Sequence, residues 1–264
     1  MSERTLAAPR ERGFLAASAL LFLASAAGTI RWCAPMSGGM RMPGGWIMPM
    51  AWMRMPGQTW PGATASFEGM WIVMMVAMML PSLVPMLSRY RRSLRAADAP
   101  RLGTLTAIAG AGYFLVWAVV GAGAYAIGLT VAAAQMRSPA LSRAMPVATG
   151  VLLLLAGAVQ LTAWKVRQLA LCRLAPARDG RPPADASGAW RHGLRLGTHC
   201  LRASSIWMIV LLVIGVMDLR VMAFVTAAIT AERLAPRPEP VARATGIVVI
   251  AAGMFLIARA RTGA

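Results

Sequence analysis

The stretch that decides the fold is MWIVMMVAMMLPSLVPM, residues 70–86, in which six residues are methionine and two are proline. The stretch is apolar enough for a membrane-spanning helix, which needs about 20 predominantly apolar residues. Thioether sulfur is a soft, uncharged metal ligand, so it costs little to place in a membrane. The segment therefore indicates a membrane location and a candidate metal-binding surface.

The composition of the whole chain extends this prediction. Of its 264 residues, 58% are hydrophobic and only 14% are charged, which is unlike a soluble domain of this length. The apolar runs are continuous rather than alternating, which argues against a membrane β-barrel. The predicted fold class is all-α, a polytopic transmembrane helical bundle with six or seven spans.

Apolar runs separated by polar segments predict the boundaries. The chain is predicted to begin with an N-terminal segment at 1–13 and a first transmembrane helix at 14–30. A Met/Trp-rich loop follows at 31–69 and a membrane core at 70–236. A final transmembrane helix with a short tail covers 237–264. Within the core, helices are predicted at 70–87, 105–131, 145–161 and 200–217, with a long basic loop at 162–197. The short run 221–231 is either a crossing or a re-entrant helix.

The distribution of charge predicts the orientation. With seven spans and the N-terminus inside, 19 of the 27 basic residues fall on the inner side. Because positive loops stay in the cytoplasm, we expect a multi-pass protein of the bacterial inner membrane with a cytoplasmic N-terminus and an extracytoplasmic Met/Trp-rich loop. The same pattern accounts for the net charge of +18, and we expect no nucleic-acid partner because no aromatic-interleaved basic platform is present.

The loop carries the first candidate metal ligands. Exposed methionine serves no hydrophobic core, and thioethers select Cu(I) over hard cations, so the loop is a candidate copper-capture site. The alternative is that the loop methionines only pack. The candidates form three M-x-M pairs: Met40, Met42, Met48, Met50, Met53 and Met55.

Two rows of methionine continue along the predicted helix at 70–87. The spacing of four residues places Met70, Met74 and Met78 in one row, with Met75 and Met79 in the adjacent row. The rows are consistent with a soft-metal path leading inward. They are equally consistent with ordinary packing, because methionine fills irregular helix interfaces well.

Three further residues are candidate ligands. His199 and Cys200 lie in a basic segment that is either part of a metal site or a helix against anionic headgroups. Asp218 lies between two apolar runs, where it is either a cation or proton site or the N-cap of the next helix. The pair Glu232 and Arg233 is predicted to lie at the membrane interface.

Several blocks of this sequence resemble a known family. Residues 70–82 and Pro85 are similar to the hallmark of the DUF2182 family, bacterial proteins described as predicted metal-binding integral membrane proteins. Family members often carry further cysteines where Gln168 and residues 202–204 stand here, so the resemblance implies a metal role that depends mainly on methionine. The other matching positions are Gly157, 160–162, Lys165, Cys172, Arg173, Pro176, Arg191, Gly193, Cys200, 215–218 and 232–234.

The expected function is binding or translocation of a soft metal, most plausibly copper as Cu(I), by the methionine-rich loop and helix. The alternative is a non-catalytic membrane subunit or assembly factor whose methionines pack against helices. No nucleophile–base set, P-loop or zinc-protease motif is visible, so we expect no enzyme. The expected partners are the lipid bilayer and a membrane or periplasmic protein, and the oligomeric state stays open.

Overall fold

The computed structural model of the protein describes residues 3–34, 38–54, 57–96, 101–174 and 185–262. Within these ranges the chain forms helices and one two-stranded hairpin, which confirms the all-α helical bundle. The helices are α1 Glu3–Cys33, α2 Trp60–Ala96, α3 Leu102–Arg137, α4 Pro139–Gln160, α5 Ala163–Leu174, α6 Ala186–Ile214, α7 Leu219–Leu234 and α8 Pro238–Thr262. The antiparallel strands are β1 Gly39–Arg41 and β2 Ile47–Pro49.

Six of the described helices are long and apolar enough to cross a membrane, namely α1, α2, α3, α4, α6 and α8. A bilayer is therefore the natural surroundings of this bundle. Helix α7 has 16 residues and a length of about 24 Å, which is short for a span. It nevertheless runs between the two ends of the bundle, because Met217 before it contacts Cys33 of α1 and Glu232 near its end contacts Gln160 of α4.

The two ends of the bundle differ in character. The end that carries the hairpin, the α3–α4 and α6–α7 connections and the last turn of α8 is called the loop end below. Trp46 of the hairpin donates to the Ser142 carbonyl at 2.9 Å and thereby fixes the hairpin to α4. The opposite end carries the α4–α5 and α7–α8 connections and residues 89–95, and it is called the basic end.

Several predicted boundaries are wrong. Helix α1 begins at Glu3, whereas the first helix was predicted to begin at residue 14. Helix α2 begins ten residues before Met70, because Ala63 and Phe67 continue its buried face while Thr64 and Ala65 are exposed. The predicted loop at 162–197 contains α5 and the first part of α6. Helix α6 extends beyond its apolar run because its arginines lie on an exposed face, while small and apolar residues continue the buried face.

Helix α3 packs closely against both α2 and α6. Glycines allow the backbones of neighbouring helices to approach, as is common in membrane bundles. An added Cβ at Gly193 would lie 2.1 Å from the Ala109 carbonyl oxygen, which shows how tightly α6 packs on α3. Trp71 of α2 packs against Gly121 and donates to the Trp117 carbonyl at 2.8 Å. These contacts fix the rotation of α2 and therefore the direction of its methionines.

Candidate metal site

The loop methionines divide into two groups. In the hairpin, Met40 lies directly opposite Met48, and Met42 donates its N–H to the Trp46 carbonyl. These side chains share one face of the hairpin, because opposite residues in antiparallel strands point to the same side. Met42 and Met48 are buried against Ala132 of α3, whereas Met40 is 42% exposed at the edge. The hairpin methionines therefore fasten the loop to the bundle.

The second group lines a cavity at the loop end. Met50 begins a 3-10 turn after β2 and Met53 follows that turn, so both side chains reach the start of α2. Met70 of α2 and Met217 of the α6–α7 connection close the cavity from the other sides. Its volume is about 70 Å³, enough for an ion or a few atoms. The remaining lining residues are Trp32, Ala51, Gln58, Ala63, Ser66, Phe67 and Tyr125.

A thiol stands behind this cavity. The Cys33 Sγ atom lies 3.7 Å from the Met217 Sδ atom, and the Cys33 side chain is fully buried. With metal–sulfur bonds of about 2.3 Å, as in zinc thiolates, two sulfurs 3.7 Å apart subtend about 107° at a shared metal. That angle suits a trigonal or tetrahedral ion, so the pair is spaced as two ligands of one metal would be.

Aromatic rings form one wall of the cavity. Phe67 stacks on Tyr125 with ring centroids 4.5 Å apart, and Trp52 lies 5.5 Å from Phe67. Phe67 also stacks on Trp71 at 6.0 Å. An apolar wall of this kind lowers the local dielectric on its side of the cavity. The cavity therefore has an aromatic wall on one side and methionine residues in its lining.

One acidic side chain lies close in sequence to these ligands. Glu68 is the only acid between Arg31 and Met70. Both of its carboxylate oxygens are buried, and neither has a hydrogen-bond partner among the described residues. An unsatisfied buried carboxylate is costly, so Glu68 adds a group at the loop end that favours a proton or a cation nearby.

The deeper methionines of α2 have different surroundings. Met74, Met75, Met78 and Met79 are each at most 2% exposed, and all belong to the main hydrophobic core. The wall of the loop-end cavity includes Met70 and none of these four. These four methionines pack in the core, and a metal-binding role for them stays a prediction.

Cys200 borders the core methionines and also contacts polar side chains. Its Sγ atom lies 4.0 Å from the Met79 Sδ atom and 2.7 Å from the Tyr113 hydroxyl. Arg233 places a guanidinium nitrogen 2.7 Å from the same sulfur. A fixed positive charge at this distance opposes a second cation. Cys200 is thus buried between a thioether, a phenol and a guanidinium, and its role as a copper ligand stays a prediction.

Glu232 and Arg233, which were predicted to lie at the membrane interface, are both buried among the helices. The Glu232 carboxylate forms a 2.8 Å ion pair with Lys165. It also accepts hydrogen bonds from Gln160 at 2.8 Å and Trp207 at 2.9 Å. These partners explain how a carboxylate stays inside the bundle, since buried charges persist only when paired and hydrogen-bonded.

The remaining candidates lie apart from the cavity. Asp218 is exposed and caps α7, accepting the N–H groups of Arg220 and Val221 at 2.8 Å and 3.3 Å. The N-cap alternative for Asp218 is therefore the observed one. His199 lies half-buried on α6, and Met55 lies outside the described residues. Among the residues that the structure describes, no three His, Cys, Asp or Glu side chains gather to hold a metal.

Comparison with protein families gives this arrangement a context. A family model described as PpoB2, copper chaperone, matches residues 68–256, which are 189 of the 264 residues. The chain belongs to this copper chaperone family. The family description supports a copper-related function, in agreement with the metal-binding expectation in its general form. Comparisons with curated proteins and with solved structures found no match.

The family match covers only some of the candidate ligands. Met70 and Met217 lie within the matched range, whereas Cys33, Met50 and Met53 precede it. Sequence reasoning found Met50, Met53 and Met70 but missed Cys33 and Met217 as candidate ligands. The only signal for Met217 was its place in the block 215–218, and nothing in the sequence linked that block to Cys33.

Proposed function

We propose that this protein is a membrane-embedded copper chaperone that holds Cu(I) in the loop-end cavity. The ligands are Cys33 and Met217 together with members of Met50, Met53 and Met70. The observation that carries the proposal is the convergence of these five sulfur-bearing residues, which come from α1, the loop, α2 and the α6–α7 connection.

The donor set suits Cu(I) rather than harder ions. Thioether and thiolate sulfur are soft ligands, and this preference separates copper(I) from calcium or magnesium. One thiolate with neutral thioethers gives Cu(I) a neutral complex, which is the least costly form to hold beside a hydrocarbon phase. Binding would release the thiol proton of Cys33, since thiol ligands bind metals as thiolates.

The packing below the cavity favours a protein that binds copper at the loop end. It disfavours movement of copper through the bundle. Below Met70, the α2 methionines lie in a packed core, and Arg233 places a positive charge beside Cys200. A fixed cation on the route raises the barrier for a passing cation. We therefore propose capture and release at the loop end, without catalysis and without translocation along α2.

The loop end faces the extracytoplasmic side in this proposal. Basic residues concentrate at the opposite end, which the positive-inside pattern assigns to the cytoplasm of a bacterial inner membrane. Copper would then pass between the cavity and a periplasmic or membrane partner protein. The proposal makes the exposed edge of the hairpin, where Met40 lies, the approach for such a partner.

A second candidate function has an observation of its own. Met74, Met75, Met78 and Met79 are buried in the core, as expected if they only pack. A protein in which all methionines played this part would be a membrane subunit or assembly factor without bound metal. The two functions differ in one property, which is whether the purified protein binds copper.

The test is an anaerobic Cu(I) titration of the detergent-purified protein against a chromophoric competitor. We expect one tightly bound Cu(I) in the wild type. The variant Met50→Leu/Met53→Leu/Met70→Leu/Met217→Leu keeps volume and apolarity but removes the thioethers. Its affinity should fall at least about tenfold, or about 1.4 kcal/mol.

A matched control is available in the same chain. Met136 and Met254 are 59% and 55% exposed and lie outside the cavity, so Met136→Leu/Met254→Leu should leave the affinity unchanged. Circular dichroism would verify that both variants are folded. A folded wild-type protein without bound Cu(I) would overturn the copper proposal in favour of the assembly role.

A further inference from the structure

A second site is indicated at the basic end, where Arg233 occupies the last turn of α7. Its guanidinium donates to the hydroxyls of Ser82 at 3.0 Å and Ser204 at 2.7 Å. Its other acceptors are the carbonyl oxygen and the sulfur of Cys200, at 3.1 Å and 2.7 Å. Among the described residues, Arg233 therefore has no carboxylate partner, although it is only 6% exposed.

The nearest carboxylate in sequence is already committed. Glu232 forms its ion pair with Lys165, and the exposed fraction of each side chain is at most 1%. That pair cancels its own charge, and within the described ranges no acidic side chain pairs with Arg233. Buried charges are ordinarily both hydrogen-bonded and paired, and this guanidinium has the hydrogen bonds, so a bound anion would supply the missing opposite charge.

A cavity of about 280 Å³ lies beside this charge. It opens where the α7–α8 connection meets α2, at the basic end of the bundle. Arg233, Arg89 and Ser82 contribute its polar wall, which supplies two guanidinium groups and one hydroxyl. Pro85, Met86, Leu234, Ala235 and Pro236 complete the lining.

The chemistry of this wall selects one class of ligand. Guanidinium groups present planar pairs of N–H donors that match phosphate oxygens, and two of them are well suited to one phosphate group. Basic pockets between transmembrane helices on the cytoplasmic side are places where anionic lipid headgroups bind. We propose that this cavity binds a phosphate group, supplied by an anionic phospholipid headgroup or by free phosphate.

The test compares unfolding temperatures in three settings: phosphatidylcholine nanodiscs, nanodiscs that also contain phosphatidylglycerol, and phosphatidylcholine nanodiscs with added inorganic phosphate. The wild type should gain about 5 °C in the second setting if the source is the lipid, or in the third if it is free phosphate, at roughly a hundredfold excess over Kd. Native mass spectrometry would count the phosphatidylglycerol molecules that stay bound.

Two exposed arginines on one turn of α2 give a matched pair of variants. Arg89 lines the cavity, whereas Arg92 is exposed and donates to the Ser88 carbonyl. Arg89→Gln should lose most of the stabilisation, and Arg92→Gln should keep it. An equal loss in both variants would reduce the effect to general surface charge and overturn the site, as would a wild type that gains nothing from either phosphate source.

Discussion

The Sγ atom of Cys33 lies 3.7 Å from the Sδ atom of Met217, although the two residues are 184 positions apart. The contact joins the end of α1 to the connection between α6 and α7. It also places a thiol beside a cavity that four methionines line. The same contact therefore packs α1 against the α6–α7 connection and joins two of the proposed ligands.

Removing the thiol should weaken copper binding. Cys33→Ser replaces a soft sulfur by a hard oxygen of similar size, so we expect the Cu(I) affinity to fall about 10- to 100-fold, or about 1.4–2.7 kcal/mol. Competitive Cu(I) titration measures the change. Cys172→Ser is the control, since Cys172 is a buried cysteine on α5 away from the cavity. Equal affinities for Cys33→Ser and the wild type would remove Cys33 from the ligand set.

The division of the loop methionines leads to a second prediction. Met50→Leu/Met53→Leu should lower the Cu(I) affinity at least about tenfold, because both residues line the cavity. Met40→Leu should leave it unchanged, because Met40 lies at the hairpin edge. Competitive Cu(I) titration of both variants measures the two affinities. A larger effect of Met40→Leu would place the copper on the hairpin instead.

The fold could be predicted from the sequence in outline because its main determinant is local. A continuous apolar run of about 20 residues has few alternatives to a membrane helix. The same reasoning misplaced the start of α6, since exposed arginines hide a buried face formed by Ala189, Gly193 and Leu196. Such a face depends on the neighbouring α3 backbone, which the hydrophobicity of α6 alone does not reveal.

The site could be predicted only in part because its ligands meet through tertiary packing. Residue type pointed to Met50, Met53 and Met70, whose thioether chemistry is visible in the sequence. The partnership of Cys33 with Met217 depends on how α1 packs beside the α6–α7 connection. The partners of Arg233 could not be predicted for a related reason, because its buried hydroxyl and sulfur acceptors come from α2 and α6.

Asp218 allows a capping role to be separated from a ligand role. Asp218→Ala should reduce stability by about 1 kcal/mol, because the N–H groups of Arg220 and Val221 lose their acceptor. The Cu(I) affinity should not change, since the carboxylate is exposed and does not line the cavity. Unfolding in mixed micelles measures the first quantity, and Cu(I) titration the second. A loss of affinity without a loss of stability would restore Asp218 as a ligand.

The buried ion pair should show strong coupling. Lys165→Met leaves the Glu232 carboxylate uncompensated and should cost about 3–5 kcal/mol of stability. Adding Glu232→Gln should recover much of that loss, because the neutral amide can still accept from Gln160 or Trp207. A double-mutant cycle of unfolding free energies measures the coupling. Simple additivity of the two substitutions would mean that the pair is screened by water.

The packing of α3 on α6 gives a prediction with an internal control on the same helix pair. An alanine Cβ at Gly193 would lie 2.1 Å from the Ala109 carbonyl oxygen, so the helices must separate. We expect Gly193→Ala to destabilise the bundle by about 1–3 kcal/mol. Gly110 has open space where its Cβ would be, so Gly110→Ala should be neutral or stabilise by up to about 1 kcal/mol through helix propensity. Unfolding of both variants in mixed micelles tests the difference, and equal stabilities would show that the α3–α6 interface yields more easily than its contacts imply.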